Sequence, residues 1–456
     1  MVVMPVNRVL NGTIWKDTDG NPIHAHGGGF LKKDGYFYWF GENRTEGKLV
    51  SCYRSKDLVS WEFCNHVVTR NTHPELSRAN AERPKVTYNE KTGRYVMWLH
   101  WENGIDYSEA RCAVLVCDTV DGDYSYLRSF RPKGHMSRDC TLFKDDDGTA
   151  YFVSAARENA DLHVYRLSDD YLDIASLEKV LWPGQKREAP AIVKRGDYYF
   201  LITSGCTGWE PNQGKYAYSA SITGEWSDLF DIGSPTTFDT QPTYILTIQG
   251  SETTSYIYVG DRWDPSNYFN SSYVFLPLSF DTETSMSLDW VSSITIDVQT
   301  GLMEAESEKS GLWRLRMGLR YLSAKGVESA GATYVYGARL SCADQDQLWV
   351  VERVSGDIIR IRHHVSGKYI EPEDSSSQEG TRIILSGKLD HARQEWRVIP
   401  AAEGHVKLQN VHTGLALKLE RARERGQADL LIQAPLSSSP GGPWDVNSVL
   451  LAEVYR

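Results

Sequence analysis

Four polar residues stand at comparable places along the chain, each just before a run of apolar residues, at Glu82, Asp139, Glu188 and Gln241. After Glu188 come residues 189–193, Ala-Pro-Ala-Ile-Val, then a Lys-Arg-Gly-Asp turn and the aromatic residues 198–200. Apolar and aromatic runs on both sides of a Gly-Asp turn predict a β-hairpin with Glu188 at the mouth of its first strand. A carboxylate that a sheet holds still, joined by others, is suited to cleaving a glycosidic bond. The alternative is an ordinary solvated residue at a strand end.

The elements that must position these residues repeat along the first 300 residues. A turn followed by an aromatic strand occurs at residues 34–39, 92–98, 147–152, 195–200 and 255–259. From Gly35 to Gly93, Gly148, Gly196 and Ser255 the steps are 58, 55, 48 and 59 residues, which suits one four-stranded blade each. A second hairpin signature follows most of them, at residues 55–61, 121–124, 168–172 and 223–226. Short, regularly spaced strands without helical periodicity predict an all-β, five-bladed β-propeller rather than a sandwich.

A propeller would bring the four polar residues together. Each of them precedes the strand that leads into the next aromatic hairpin, so they occupy one position in successive blades. Because the innermost strands of a propeller line its axis, we expect these side chains to share one central site.

The repeat changes near residue 300, which predicts a propeller domain at 1–302 and a second domain at 303–456. Three shorter units begin at residues 312–315, 358–361 and 405–408, with steps of 46 and 47 residues from Leu315 to Ile361 to Leu408. Each unit continues into a short apolar strand, at residues 321–322, 369–370 and 416–417. Each then reaches a tryptophan, at Trp349, Trp396 and Trp444.

Composition limits the partners. A net charge of -11, with no extended run of lysine and arginine, argues against nucleic acids and anionic membranes. No apolar run approaches the roughly 20 residues that a membrane-spanning helix requires, and no signal peptide is visible at the N-terminus. The 14 Trp and 25 Tyr residues are typical of sugar-binding proteins, although β proteins are often rich in aromatics.

The 7 cysteines show neither a CxxC pair nor metal-ligand spacing. Cys52 and Cys64 could face each other across a hairpin, and an odd total leaves at least one cysteine unpaired in a monomer.

Several motifs in one order carry a resemblance to a known family. They are residues 21–29 (Asn-Pro-Ile-His-Ala-His-Gly-Gly-Gly), 82–86 (Glu-Arg-Pro-Lys-Val), 137–139 with 144–148, 187–191, 204–209 and 261–263. Over about residues 10–300 the chain resembles glycoside hydrolase family 43, and more closely its branch of exo-β-1,3-galactanases. The resemblance implies an inverting, exo-acting enzyme that releases galactose from β-1,3-galactan, the backbone of arabinogalactan side chains.

The resemblance also implies roles for the four residues. Glu188 matches the family's general acid, and Asp139 matches the carboxylate whose charge raises the pKa of that acid. Glu82 would accept hydrogen bonds from a galactose hydroxyl; the alternative is an ion pair with Arg83 or Arg138.

The position of the base departs from the wider family. Most members carry an aspartate on the inner strand of the first blade, where this chain has residues 26–29, His-Gly-Gly-Gly. The galactanase branch shares that absence and has a glutamine at the position of Gln241. An amide is a poor base, so Gln241 would orient water or act through its imidic tautomer. The three glycines either let backbone crowd the axis or leave space for a sugar.

Further residues match substrate contacts in the branch: Tyr107, Asn159, Thr207 and Trp209. Trp209 or Tyr107 would provide a stacking platform, Arg262 is a further candidate, and His26 would form a polar floor. For each of these residues a purely structural role is the alternative. No cofactor is expected, and no metal, because His26 has no ligand-spaced partner.

Residues 305–456 resemble a ricin-type β-trefoil lectin module, with Gln-x-Trp in two of the three units. The acidic residue expected after the first strand of each unit is Ser323, Glu371 and Lys418, and the third glutamine is Gly442. A structural trefoil and a lectin with one working site both remain open.

The expected partner is therefore β-1,3-galactan or arabinogalactan, bound by a monomer in the extracellular space, with a cytoplasmic location as the alternative. Two other functions remain open. One is another family 43 specificity, such as arabinofuranosidase or β-xylosidase, and the other is a catalytically silent galactan-binding protein.

Overall fold

The computed structural model describes residues 8–307, 311–324, 328–329, 332–341, 344–389, 391–402, 404–422, 428–442 and 444–454. Cys342, and Pro443 of the third tryptophan motif, lie outside them. The chain divides into one compact unit of residues Met1–Arg262 and Ser272–Glu308, and another of residues Trp263–Ser271 and Lys309–Arg456.

The described regular structure is β, apart from short 3-10 helices at Pro74–Leu76, Pro132–Gly134, Thr237–Asp239, Tyr268–Asn270, Gln345–Gln347, Glu373–Ser375 and Ala392–Gln394. Among the residues described, no helix has the length and apolar character needed to cross a membrane.

The first unit contains five separate four-stranded antiparallel sheets. The strand β1 (Val9–Leu10) precedes them. The first sheet contains β2 (His26–Lys33), β3 (Tyr36–Glu42), β4 (Lys48–Ser55) and β5 (Glu62–Thr69), and the second contains β6 (Asn80–Asn89), β7 (Arg94–Glu102), β8 (Arg111–Cys117) and β9 (Ser125–Phe130). The third contains β10 (Cys140–Lys144), β11 (Ala150–Ala156), β12 (Asp161–Leu167) and β13 (Ile174–Leu181). The fourth contains β14 (Arg187–Arg195), β15 (Tyr198–Gly205), β16 (Gly214–Ser219) and β17 (Phe230–Ile232), and the fifth contains β18 (Gln241–Gln249), β19 (Thr254–Arg262), β20 (Ser272–Ser279) and β21 (Ser287–Leu288).

Local sequence explains how the sheets form and pack. Asp34 and Gly35 join β2 to β3 with φ angles of 50° and 79°, the two left-handed residues that a tight hairpin requires. Strand β7 is buried on both faces. Its Met97 and Leu99 belong to one hydrophobic core with residues of the first sheet, and its Trp98 belongs to another with residues of the third. The second sheet therefore contributes to two cores, which explains why β7 is apolar almost throughout.

The five sheets follow one another in a closed cycle. The first strands β2, β6, β10, β14 and β18 pack beside one another in that order, and β18 packs against β2. The strands β22 (Ser293–Ile296) and β23 (Met303–Glu306) form a small sheet with β1, which joins the two ends of the unit.

Two buried side chains complete this closure. The Asn11 amide nitrogen donates to the carbonyl oxygens of Phe275 and Val291, each at 2.9 Å, and its oxygen accepts from the Phe275 N–H at 2.8 Å. The Tyr273 hydroxyl donates to the carbonyl of Ile23 at 2.9 Å. The start of the chain is thus bonded into the fifth sheet.

The cysteines that might have paired are on neighbouring strands. Cys52 lies on β4 and Cys64 on β5, where a bulge separates their pairing registers, and both are free thiols. All six cysteines within the described ranges are free.

In the second unit, the residues that the structure describes form fourteen short strands that pair in one network. They are β24 (Trp313–Met317), β25 (Arg320–Ser323), β26 (Glu328–Ser329), β27 (Ala332–Tyr334), β28 (Tyr336–Ala338), β29 (Trp349–Ser355), β30 (Ile358–His363), β31 (Tyr369–Pro372), β32 (Ile383–Ser386), β33 (Trp396–Pro400), β34 (Val406–Asn410), β35 (Ala416–Glu420), β36 (Asp429–Ala434) and β37 (Leu450–Glu453).

The tryptophans of the three units are not equivalent. Trp349 and Trp396 are fully buried, and their ring N–H groups donate to the carbonyls of Leu322 and Ile370 at 3.0 and 3.4 Å. Trp444, by contrast, is 57% exposed. The third tryptophan therefore does not take the core position of the other two, in the unit whose glutamine is replaced by Gly442.

Candidate functional site

The candidate site is built at the beginnings of the first strands, where the pairing is interrupted in the same way in four sheets. The interruptions fall between His26 and Gly29, Glu82 and Lys85, Glu188 and Ala191, and Pro242 and Tyr244. Gly27, Arg83 and Ala189, each following one of these site positions, have φ angles of 59°, 52° and 52°. Bulges of this kind bend a strand and redirect its side chains. Asp139 directly precedes β10 and completes the set.

The glycines of β2 make room for side chains of the second sheet. A Cβ atom at Gly29 would lie 2.5 Å from Cδ of Lys85, and one at Gly27 would lie 3.2 Å from Cγ of Arg83. Of the two interpretations of the glycine run, close approach of protein groups is the one observed at these two positions. The Lys85 ammonium donates to the Gly27 carbonyl at 2.7 Å, and burial lowers the pKa of Lys85 to about 7.

Arg83 is the central cation of the site. Its Nε lies 3.0 Å from Asp139 Oδ2, and its Nη2 donates to Gln241 Oε1 at 2.5 Å. Burial opposes its charge, but Asp139, Asp261 and Glu188 outweigh that effect and raise the pKa of Arg83. A permanent buried cation thus links two of the four residues singled out from the sequence.

The Gln241 amide links that cation to the candidate acid. Its oxygen accepts from Arg83, while its nitrogen donates to Glu188 Oε1 and to Ser204 Oγ, both at 3.1 Å. In this orientation the only amide atom that can accept a proton is bound to a guanidinium, which makes it still less basic. The arrangement favours Gln241 as an orienting group.

Glu188 is set up to hold a proton. It is 7% exposed, and Nδ2 of Asn159 donates to its Oε2 at 2.8 Å. Burial and then the negative charge of Asp139 raise the pKa of Glu188 to about 8. A carboxyl group that is largely protonated at neutral pH can act as a general acid.

Glu82 has the opposite character. Its carboxylate accepts from Arg44 at 3.0 Å and from the Tyr107 hydroxyl at 2.7 Å, and it lies 3.2 Å from Nδ1 of His100. Burial disfavours the anion, but these partners, His100 first, lower the pKa of Glu82 to about 2. The Glu102 carboxylate, 2.9 Å from Nε2 of His100, helps to raise the pKa of that histidine to about 9. Glu82 is therefore a fixed anionic acceptor.

The ion pairs expected for Glu82 are made elsewhere. Arg83 pairs with Asp139, and Arg138 pairs with Glu158. Carboxylate and imidazole atoms of Glu82, His100 and Asp139 all lie within 4.8 Å of one another, a spacing that could hold a metal ion. Because Arg44, Tyr107 and Arg83 already bind the two carboxylates, these residues fit a hydrogen-bonding site better than a metal site.

Aromatic and polar groups surround this network. Tyr107 is 42% exposed, and the Arg44 guanidinium lies 5.2 Å from the ring centre of Trp209. Thr207 Oγ1 accepts from the side chain of Asn212 at 2.7 Å and donates to the Glu210 carbonyl at 2.5 Å. The loop that carries Thr207 and Trp209 is therefore well anchored.

Two further predicted contact residues are buried. His26 is fully buried, with its Nδ1 3.0 Å from Asp261 Oδ1 and its ring stacked on Tyr273, which favours a supporting role. Arg262 is 5% exposed and donates to the Phe238 carbonyl at 2.9 Å. Because Arg262 is almost as exposed as Glu188, its contact with a ligand stays a prediction.

The sequence did not single out Arg44, Glu42, His100 or Asp261. Glu42 is buried beside Arg44, and burial, together with the charge of Glu82, raises the pKa of Glu42 to about 7. Strand register is the signal that locates Glu42, His100 and Asp261. Glu42 pairs with His26, His100 with Glu82 and Asp261 with Gln241.

A cavity of about 670 Å³ lies toward the opposite ends of the first strands. Its walls include Lys33, Thr87, Lys144, Lys194 and Tyr244, and none of the four site residues lines it.

Comparison with known proteins assigns both parts of the chain. Residues 26–253 match the family model of Glycosyl hydrolases family 43, and residues 323–433 match that of the Ricin-type beta-trefoil lectin domain-like family. A xylan 1,3-beta-xylosidase of Vibrio sp is 26% identical over 34% of this chain and 31% of its own length. A beta-xylosidase of Bacillus subtilis (strain 168) is 27% identical over 39% and 35%. The chain thus spans about a third of the length of these curated relatives.

Solved structures extend the similarity over nearly the whole chain. An exo-beta-1,3-galactanase from Clostridium thermocellum is 41% identical, with a TM-score of 0.65, over 98% of this chain and 100% of that one. The exo-beta-1,3-galactanase from Phanerochaete chrysosporium, solved with galactose, is 28% identical, with a TM-score of 0.64, over 99% and 93%.

Proposed function

Because this chain belongs to glycosyl hydrolases family 43 and is a glycoside hydrolase, we propose that it releases galactose from the non-reducing end of β-1,3-galactan, the arabinogalactan backbone. The observation that carries the proposal is the continuous network from Asp139 through Arg83 and Gln241 to Glu188. It places an acid that holds its proton and an amide of fixed orientation in one site. Single-displacement hydrolysis with inversion needs such an acid and, across the sugar, a group that positions water. The similarity to exo-beta-1,3-galactanases supports galactan as the substrate.

Glu188 is the general acid of this mechanism. Its proton passes to the glycosidic oxygen as the bond to the anomeric carbon breaks, so the leaving sugar departs as a neutral alcohol. The Asp139 charge and the buried setting keep the proton on Glu188 until that step. Asp139 itself stays bonded to Arg83.

Gln241 orients the attacking water on the other face of the sugar through its amide oxygen, which Arg83 holds in place. Its nitrogen lies 3.1 Å from Glu188 Oε1, so the sugar enters between the two side chains and replaces that hydrogen bond. Water attack on the face opposite Glu188 gives the inverted anomer, and the proton that the attacking water loses passes to bulk water.

Glu82 recognises the terminal galactose by accepting hydrogen bonds from its hydroxyls. As an anion fixed by Arg44, Tyr107 and His100, it is a strong acceptor whose position is already set. Trp209 and Tyr107 provide aromatic surface for the apolar face of a pyranose. Asn159 and Thr207 complete the set of proposed substrate contacts.

Hydrolysis of β-1,3-galactobiose tests the proposal. We expect release of galactose, with NMR showing the α-anomer first, and little release from xylobiose or an arabinofuranoside. Binding of galactobiose without hydrolysis would instead indicate a silent galactan-binding protein. Hydrolysis of xylobiose alone would indicate a β-xylosidase, the activity named for the curated relatives.

Replacing the acid gives a second test. Glu188→Gln removes the proton donor and keeps the shape, so we expect kcat on galactobiose to fall by about 10²–10⁴-fold. An aryl galactoside with a good leaving group should lose much less activity. Glu158→Gln, an exposed carboxylate, is the control. Full activity of Glu188→Gln on galactobiose would refute the assignment.

For the architecture, we propose that the five four-stranded sheets are five propeller blades in a catalytic domain of residues 1–302. Residues 303–456 would form a β-trefoil that binds polysaccharide, in a monomeric, extracellular enzyme. Retention of residues 305–456 on immobilised galactan would support this role. Passage through the column would leave the trefoil as a scaffold.

A further inference from the structure

Cys206 lies beside the proposed acid because of the strand register. Strand β15 pairs with β14 so that Ser204 stands opposite Glu188 and Gly205 opposite Arg187. Cys206 is the next residue after β15. Cys206 therefore lies at the edge of the proposed catalytic network. In the sequence it stood out only as part of the motif at residues 204–209.

One side chain anchors the backbone on both sides of Cys206. Oδ1 of Asn212 accepts from the Gly205 N–H at 2.7 Å, and its Nδ2 donates to the Gly205 carbonyl at 2.9 Å and to Thr207 Oγ1 at 2.7 Å. The thiol is consequently held in place by its neighbours and can reorient mainly by rotation of its own side chain.

Two acceptors lie close to this thiol. The thiol donates to the carbonyl oxygen of Asn159, which is 3.7 Å from the sulfur. The side-chain amide of the same Asn159 donates to Glu188 Oε2 at 2.8 Å, and Glu188 stands opposite Ser204, two residues before Cys206, so that rotation of the thiol would bring it to the carboxyl group. Asn159 ends a turn in which Arg157, Glu158 and Asn159 have φ angles of 50°, 56° and 61°. This unusual backbone directs the carbonyl and the side-chain amide of Asn159 toward Cys206 and Glu188.

We propose that Cys206 is a positioning residue for the acid, with an S–H group that alternates between the Asn159 carbonyl and the Glu188 carboxylate. While Glu188 is protonated, the thiol donates to Asn159. When Glu188 has given its proton to the leaving sugar, the thiol turns and donates to the new anion. The thiol proton itself is never transferred, and Glu188 regains its own proton from water after the product leaves.

The electrostatics of the site indicate that the Cys206 thiol acts as a hydrogen-bond donor rather than as a nucleophile. Burial, followed by the Glu188 charge, raises the pKa of Cys206 well above its ordinary range, so the thiol stays protonated during turnover. In the other direction, the thiol hydrogen bond opposes the burial that raises the pKa of Glu188. A buried carboxylate that forms in each cycle needs such donors.

The inference rests on the proposed function, and the pH dependence of kcat and kcat/KM on galactobiose tests it. We expect Cys206→Ala to lower kcat a few-fold with KM nearly unchanged, and to move the alkaline limb upward by roughly half a pH unit. Cys206→Ser keeps a donor and should restore both values. Cys117→Ala, a partly exposed thiol on β8, is the matched control. An unmoved limb in Cys206→Ala, or a serine variant that behaves like alanine, would overturn the proposal.

Infrared spectroscopy of the S–H stretch tests the same contact without any turnover. As pH rises and Glu188 ionises, we expect one S–H band to move to lower frequency in the wild type. The shift should vanish in Glu188→Gln, and the band itself should vanish in Cys206→Ser. A band that ignores Glu188 would exclude the contact even in an active enzyme, whereas a shifting band in a protein that hydrolyses no galactobiose would reject only the proposed function.

Discussion

Glu188 and Glu82 are two buried carboxyl groups whose pKa values differ because their partners differ. Glu82 has a guanidinium, an imidazolium and a phenol around it, whereas Glu188 has two amides and a neighbouring negative charge. In the proposed mechanism Glu82 is the anion that binds the sugar and Glu188 is the acid that donates a proton. Burial alone would have raised both pKa values, so the difference comes from neighbours rather than from depth.

The pH profile should report the proton on Glu188. The acid works only when protonated, so kcat/KM is expected to be high below its pKa of about 8 and to fall as pH rises through that value. Asp139→Asn removes the charge that raises this pKa, and it should move the alkaline limb to lower pH by about 1 unit.

Kinetics on galactobiose from about pH 5 to about pH 10 measure this shift. Asp106→Asn, which removes an exposed carboxylate outside the network, should leave the limb in place. A limb that stays at the wild-type pH in Asp139→Asn would mean that Asp139 does not tune the acid.

At the scale of elements, interrupted first strands make the site. In a regular strand the side chains alternate between the two faces of the sheet. The bulges after His26, Glu82 and Glu188, each with one left-handed residue, bend the strand and redirect these side chains. The glycines of β2 belong to the same arrangement, since they allow the second sheet to approach. The same backbone features of the first strands therefore determine both the geometry of the site and the packing of the sheets.

Gly28→Ala tests how tightly the first sheet is packed. An added Cβ would lie 2.4 Å from the Phe40 carbonyl oxygen, a backbone atom that cannot move aside easily. We expect a loss of about 1–3 kcal/mol in the free energy of unfolding. Gly387→Ala, where no atom lies within 4 Å, is the control for chemical denaturation. Equal stability of the two variants would contradict the tight packing.

The sequence predicted the strand repeats and the first residues of the site because turns and aromatic runs mark each hairpin locally. Arg44 and His100 were missed for a physical reason. They reach Glu82 through strand pairing and side-chain length, which a one-dimensional pattern does not contain. Cys206 was part of a motif, but its relation to Glu188 depends on the register of β14 and β15. Trp444 belongs to the same repeated pattern as Trp349 and Trp396, but it is exposed where they are buried, a difference that the pattern did not reveal.

At the scale of the molecule, closure of the first unit depends on a few long-range bonds. Asn11 is 2% exposed and makes three hydrogen bonds to the end of that unit. Asn11→Ala leaves those backbone groups buried without partners, so we expect a loss of about 2–4 kcal/mol in the free energy of unfolding. Asn71→Ala, at an exposed position, should be neutral in the same urea titration. A neutral Asn11→Ala would show that closure does not depend on this residue.

The two-faced packing of β7 has a consequence for recombination. Met97 and Leu99 pack in a core with residues of the first sheet, whereas Trp98 packs in a core with residues of the third. The second sheet is therefore not an independent module, and a chimera that takes it from a homologue must also take the matching surfaces of the first and third sheets. Exchange by shuffling is expected to succeed for contiguous runs of sheets and to fail for single ones.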